Sequence, residues 1–364
     1  MRKILLFFFL TFYGVLFAQT SDCNKLGAWL WYIDITGFST HSQIADTLVS
    51  IGVKRVYVKV SDGQPNTSIW PELQDTSLVN AYKARGLEVW GWSYNYPGNA
   101  EAQSQALYLA AKTGYQGFVV DVETEFDGLS TPLSSLFAAF ADKKQQAIAA
   151  GYADTHFQLY CTTWGNPADH NFQIGLIDPY VDGYMPQTYV EIWGASYVQN
   201  LAYWIQVGNE EYISLGATKP IHHIAALESG GMTPAQIDLF IQNSGPETSL
   251  WRIPGGQVPN TLWQTWNAID WNADFCASSS TDVDPALFHL DCMPNPTNGK
   301  VQVGTKGESG ILSIWDVNFR KMEPDMFVTI GENLQLDLAE YPPGMYILHF
   351  TTGKNVWVGK ILKQ

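Results

Sequence analysis

The chain has 364 residues, of which 46% are hydrophobic and 15% charged, with 14 Trp, 18 Tyr and 18 Phe. At roughly 150 residues per domain this fits two domains, or one large and one small; such low charge with so many rings excludes a disordered chain or a coiled coil. A net charge of −15 argues against a phosphate-binding surface, so no nucleic-acid partner is expected.

Arg2 and Lys3 precede an apolar run from Ile4 to Phe17, and Ala18 offers a small residue before Gln19. This is the charge-then-apolar order of a signal peptide, residues 1–18. The run is shorter than the roughly 20 residues a spanning helix needs, and no later stretch resembles it, so the mature chain is expected to have no transmembrane segment. The cysteines are Cys23, Cys161, Cys276 and Cys292. Export permits disulfides, and three complete pairings remain open. Cys161 lies in an apolar run and reads as a buried small side chain, whereas Cys23 and Cys276 flank the large domain and could clasp its ends.

From Gly27 the period of hydrophobicity alternates. Strand-like segments run Gly27 to Asp34, Val53 to Val60, Leu87 to Tyr94, Phe118 to Glu125, Phe157 to Thr162, Gly183 to Tyr189, Ile221 to Leu227 and Ser249 to Ile253. Helical spacing falls between them, at Thr40 to Ile51, Leu78 to Ala84, Ala100 to Lys112, Leu133 to Ala150, Ile174 to Tyr180, Tyr197 to Tyr212, Thr233 to Gln242 and Leu262 to Trp271. Thr233 suits an N-cap and Pro234 the first helical position. Eight strand–helix units in about 250 residues predict a (β/α)8, or TIM, barrel over residues 19–289. An open doubly wound sheet is the alternative; no Gly-x-Gly-x-x-Gly follows the first strand to support it.

Residues 19–289 carry 11 Lys and Arg against 27 Asp and Glu, so the acidity belongs to the expected barrel. Residues 290–364 read differently: short apolar segments between turn residues predict a small all-β sandwich. The segments Pro294-Asn295-Pro296-Thr297-Asn298-Gly299, Leu312-Ser313-Ile314-Trp315-Asp316, Leu336-Asp337-Leu338, Pro343-Gly344-Met345-Tyr346 and Lys360-Ile361-Leu362-Lys363 occur in this order. Together they resemble the C-terminal sorting domain (type A) of the type IX secretion system, although the family's usual Asn-Gly-Arg turn reads Val317-Asn318-Phe319-Arg320 here. The resemblance implies the type IX machinery as partner and a protein secreted or attached to the cell surface at the outer membrane.

In a (β/α)8 barrel the chemistry sits at the C-terminal ends of the strands. Candidates there are Asp34, Lys59, Trp92, Tyr94, Asp121, Glu123, Glu125, Trp164, Gln187, Tyr189 and Glu228. The fourth strand is the most informative. Phe118-Val119-Val120-Asp121-Val122-Glu123-Thr124-Glu125 places three carboxylates at alternate positions, hence on one face. Crowded carboxylates raise one another's pKa, and a neutral Glu beside an ionised Asp is what protonation of a glycosidic bond requires. A solvated strand end with incidental carboxylates is the alternative. The many Trp and Tyr near strand regions suit sugar stacking, or equally core filling.

Three segments, Ile33-Asp34-Ile35, Val58-Lys59-Val60-Ser61-Asp62-Gly63 and Val120-Asp121-Val122-Glu123, resemble the glycoside hydrolase family 25 lysozymes. Met185-Pro186-Gln187-Thr188-Tyr189 with Asp121-x-Glu123 resembles the family 18 chitinase-like proteins. Each departs from its family's pattern: the late acid of family 25 lacks an equivalent, and Phe118 and Val119 stand where further acids of family 18 would be. The resemblances imply Glu123 as general acid, with Asp121 and Asp34 supporting it. Lys59, Trp92, Tyr94, Glu125, Trp164, Gln187, Tyr189 and Glu228 would then line the substrate site. The implied substrate is a glycan such as peptidoglycan or chitin; the runner-up is a noncatalytic surface glycan-binding barrel. Neither the His spacing nor the Cys spacing suggests a metal, and no cofactor is expected.

Overall fold

The computed structural model describes residues 24–63, 68–228, 230–255, 261–273, 275, 288–304, 309–316, 321–322, 326–329, 334–352 and 356–364. The expected signal peptide, the proposed Cys23–Cys276 clasp and the Val317–Arg320 turn lie outside these residues. Two compact units divide between Ser278 and Ser279.

The first unit is a closed (β/α)8 barrel. Its parallel strands are β1 (Gly27–Leu30), β2 (Arg55–Asp62), β3 (Glu88–Tyr94), β4 (Gly117–Asp121), β5 (Gln158–Trp164), β6 (Gly183–Gln187), β7 (Ile224–Ala226) and β8 (Ser249–Trp251). Each pairs with the next. Closure comes where Gly27 pairs with both Arg55 of β2 and Ser249 of β8. The two-residue strand Ser68–Ile69 folds back antiparallel on the end of β2. Between the strands run α1 (His41–Ile51), α2 (Thr76–Lys83), α3 (Ala100–Thr113), α4 (Ser130–Ala149), α5 (Ile174–Ile177), α6 (Leu201–Ser214), α7 (Pro234–Ser244) and α8 (Thr261–Asn267).

Local chemistry sets many of these boundaries. Thr40 with Gln43, and Thr233 with Gln236, form capping boxes at the starts of α1 and α7, and Pro234 takes the first helical position as the sequence predicts. Two sequence boundaries move. Strand one stops at Leu30, and Ile33–Ile35 is a 3-10 turn whose end is held by the Thr36 hydroxyl on the Ile33 carbonyl. Strand four stops at Asp121, because the chain turns at Glu123 into a 3-10 turn, Thr124–Phe126. The alternation therefore holds from Asp121 to Glu123 and is lost at Glu125.

Inward-facing side chains fill the barrel with rings: Trp29, Tyr57, Trp90, Trp92 and Tyr160 cluster with Val119, Met185 and Ile224. Glycine makes this possible at strand starts. A Cβ at Gly117 would lie 2.4 Å from the Trp90 ring, and one at Gly27 2.5 Å from Tyr57. Arg55 closes the N-terminal end of the barrel, fully buried beneath this layer. Its guanidinium lies 4.2 Å over Trp90, donates to Glu88 at 2.8 Å and to Glu247 at 2.9 Å. The aliphatic faces of the strands pack outward against the helices as a second core.

The second unit holds two sheets. One is built from β9 (Phe288–His289), β12 (Gly310–Asp316), β13 (Met326–Val328), β15 (Gly344–Thr352) and β16 (Val356–Lys363), in the order β9-β16-β15-β12-β13; the other orders β10 (Asp291–Met293), β11 (Lys300–Gly304) and β14 (Leu334–Asp337) consecutively. Apart from the parallel β9–β16 pair, neighbouring strands are antiparallel. Phe288–His289, which the sequence reading leaves in the barrel, thus pairs within this unit. Leu290, Val301, Leu312, Ile314, Leu348, Phe350 and Ile361 form its core. Asn295 straps the opening segment to β16, donating to the Lys360 carbonyl and accepting from the Leu362 N–H. Cys161 and Cys292 are both buried free thiols, so no disulfide occurs among the described residues.

Candidate active site at the barrel mouth

The C-terminal ends of β4 and β6 build the centre of the site. Asp121 is the last residue of β4 and points inward at 5% exposure; Glu123 follows two residues later, half-buried. Gln187, the last residue of β6, donates one amide group to both, at 2.9 Å to Glu123 and 3.2 Å to Asp121. These three border a cavity of about 220 Å³ whose remaining wall is Trp29, Thr162, Trp164, Tyr189, Ile224 and Trp251. The alternation of each strand explains the selection. Trp29, Asp121, Thr162, Trp164, Gln187 and Trp251 occupy inward positions near the tops of their strands, and Ile224, the first residue of β7, pairs level with Gln187.

The electrostatics follow from burial. Asp121 is pushed well above the usual carboxylate range, first by desolvation and then by the Glu123 charge, with the Lys59 ammonium opposing. Glu123 is also raised, again mainly by burial; the Gln187 hydrogen bond, Asp121 and Lys59 hold it down while Glu125 pushes it up. Two adjacent carboxyls that both resist ionisation titrate as a pair and hold a proton between them. Tyr189, which lines the cavity, is held neutral by burial and by the same carboxylates, so its hydroxyl keeps its proton.

Beside the cavity sits a second group. Lys59, 5% exposed, bonds Asp62 at 3.2 Å, and its ammonium lies 5.0 Å from the Trp70 ring, 5.2 Å from Trp92 and 5.9 Å from Tyr94. Tyr94 donates to Glu125 at 2.8 Å, and Trp92 donates to the Leu30 carbonyl while its ring lies 5.6 Å from Trp251. Lys59, Trp92, Tyr94 and Glu125 therefore stand together around the β2–β3–β4 rim. Glu228 is exposed and paired with Arg252 at 2.5 Å. Asp34, placed on strand one by the sequence, sits exposed in the 3-10 turn and is absent from the cavity wall.

Asp127 is a support of the cavity wall that the sequence does not reveal. Its carboxylate accepts from the Trp164 indole at 3.0 Å and bonds the His170 ring at 3.1 Å, and the two rings stack 3.8 Å apart. The contact joins residues 37 and 43 positions apart, so no local spacing marks it. Thr162, Trp29 and Trp251 could have been found by extending the inward register along their strands.

Comparison with known proteins places the two units differently. No relative is found among curated protein sequences. The barrel-containing chain is similar to the structure of the endo-β-1,4-mannanase of Thermotoga petrophila, with TM-score 0.52 and 10% identity over 95% of this chain and 99% of that one. The endo-1,4-β-mannanase of Rhizomucor miehei gives TM-score 0.49 and 10% identity over 71% and 96% of the two chains. A spore cortex-lytic enzyme of Bacillus cereus gives 0.47 and 10% over 69% and 74%. At such identities the first likeness is one of fold, and the weaker two add nothing to it. Residues 292–364 match the family described as secretion system C-terminal sorting domain. Among the described residues no helix is long and apolar enough to cross a membrane. The tail supports sorting by the type IX machinery and marks the protein for secretion or attachment at the outer-membrane cell surface.

Proposed function

We propose that the barrel is a glycoside hydrolase acting on an amino-sugar polymer such as chitin or peptidoglycan, with Glu123 as general acid. The observation that carries this reading is the Asp121–Glu123 pair, the first buried and the second half-buried, sharing the Gln187 amide and opening into a cavity walled by Trp29, Trp164, Tyr189 and Trp251. Protonation of a glycosidic oxygen needs a carboxyl still neutral near pH 6, which burial and the Glu125 charge favour at Glu123. Flat indole faces suit the C–H faces of pyranose rings.

Among the described residues the cavity wall contains carboxylates only at Asp121 and Glu123, both at one strand end. A pair of opposed carboxylates flanking the bond is therefore lacking among these residues, and a substrate that supplies its own nucleophile fits better. In that mechanism the Glu123 proton passes to the glycosidic oxygen as the anomeric C–O bond breaks. The carbonyl oxygen of the sugar's 2-acetamido group bonds to the anomeric carbon, with Asp121 holding the amide N–H and Tyr189 donating to the acetamido oxygen. Water then opens the cyclic intermediate and returns a proton to Glu123. These roles for Glu123, Asp121, Gln187 and Tyr189 agree with the resemblance to family 18.

The test is hydrolysis of chitin oligomers and peptidoglycan by the purified protein, with products read by mass spectrometry. Turnover is expected in the wild type and lost in Glu123→Gln, with sugar binding kept. Binding without product from either polymer would overturn the hydrolase reading in favour of a noncatalytic glycan-binding barrel.

A further inference from the structure

A second cavity, of about 540 Å³, lies outside the acid site, within the roughly 300–1,000 Å³ typical of ligand pockets. Its walls come from the loop after β5, the short helical turns Val190–Trp193 and Ala195–Gln199, and α6. Trp193, Tyr197 and Trp204 form a continuous run of rings there, with centroids 5.6 Å and then 4.7 Å apart. All three are only partly buried. The Trp193 and Trp204 indole N–H groups and the Tyr197 hydroxyl bond to nothing among the described residues. A cluster serving the core alone would bury its faces and satisfy or hide its polar edges. This one presents both to an open groove.

The polar members of the wall define what enters. Asn166 donates to Asp169 at 2.9 Å, and Glu211 accepts from the Ala168 N–H. Among the described residues no Lys or Arg lines the groove. Two acids on a chain of net charge −15 repel an anionic ligand, while rings plus amide and carboxyl acceptors suit uncharged hydroxyl-bearing molecules.

The groove adjoins the acid site through one residue. Gly165 is so tightly enclosed that a Cβ there would lie 2.7 Å from the Gln187 carbonyl and 2.9 Å from the Trp193 ring. Trp164 walls the acid cavity and Gly165 and Asn166 wall the groove. We infer that the Trp193–Tyr197–Trp204 groove is an accessory subsite that holds a remote portion of a neutral glycan chain whose other portion occupies the Asp121–Glu123 cavity. This inference rests on the glycan reading of the acid site, deepens it to a polymer of uncharged sugars, and makes chain length a determinant of affinity.

The test uses the full-length protein carrying Glu123→Gln, titrated calorimetrically with chitobiose, chitohexaose and, as an anionic control, a hexamer of galacturonic acid. Adding Trp204→Ala is expected to weaken chitohexaose binding about tenfold and leave chitobiose binding unchanged, the loss of one stacked ring. Trp204→Phe, which keeps a ring against Tyr197, is expected to lose less and guards against misfolding of the alanine variant. Equal chitohexaose affinity with and without Trp204, tighter binding of the anionic hexamer, or no binding of chitohexaose at all overturns the subsite. Hydrolysis is judged separately, by product release from the wild type. Trp204-dependent binding without product removes the hydrolase reading and leaves the subsite; product with Trp204-indifferent binding does the reverse.

Discussion

Gln187 donates its side-chain amide to Glu123 at 2.9 Å and, from the same nitrogen, reaches Asp121 at 3.2 Å. The bond to Glu123 favours the ionised carboxyl and so restrains the rise caused by burial. Removing the amide is expected to raise the Glu123 pKa further. In Gln187→Ala the basic limb of the kcat/KM profile should move to higher pH, with kcat lowered roughly 10- to 100-fold by loss of orientation. A pH–rate series checks both; an unmoved basic limb would mean that Glu123 is not the titrating acid.

Trp164 is held edge-on by Asp127 and face-on by His170. Asp127→Ala frees both rings while leaving the acid pair untouched. KM for a chitin oligomer is expected to rise about five- to tenfold with kcat nearly constant, because a stacking wall contributes binding rather than proton transfer. Steady-state kinetics separate the two parameters.

Arg55 joins Glu88 and Glu247 at the opposite end of the barrel and has no part in the chemistry. Removing the cation leaves a partly buried anion at Glu247, so Arg55→Ala is expected to cost about 3–5 kcal/mol, a drop readable by urea denaturation. Restoring the loss by adding Glu247→Gln would show that the uncompensated charge, and not a cavity, was the main cause.

His223 is fully buried, bonded to Thr188 at 2.7 Å and Asn209 at 3.0 Å, and burial lowers its pKa from 6.5 to about 3. Its folded pKa is depressed, so the unfolded chain binds the proton first as pH falls. Stability is therefore fullest above pH 6.5 and declines toward the folded pKa. The loss should reach about 2 kcal/mol at pH 5 relative to pH 8, and His223→Gln should flatten that slope in denaturant titrations at the two pH values.

Much of this architecture is legible in the chain. Alternating periods announce the barrel, and the run from Phe118 to Glu123 marks its mouth, because a parallel strand buried on both faces tolerates acids only at its exit. The same run misleads at Glu125. Period two persists in the sequence after the backbone has left the ladder, and nothing in the letters records the turn at Glu123. Asp34 fails for the same reason, since strand one ends four residues before it. Gln187 is visible as a candidate near the end of strand six, but its two hydrogen bonds across to Asp121 and Glu123 depend on the order of strands in the sheet. Asp127 is hidden altogether, as its partners arrive from the next strand and the loop beyond.

The strap from Asn295 to β16 has a bearing on the order of events during synthesis. The opening of the sorting unit cannot be fixed until residues 356–363 exist to receive it, so a chain interrupted anywhere in the last stretch of translation lacks a finished address.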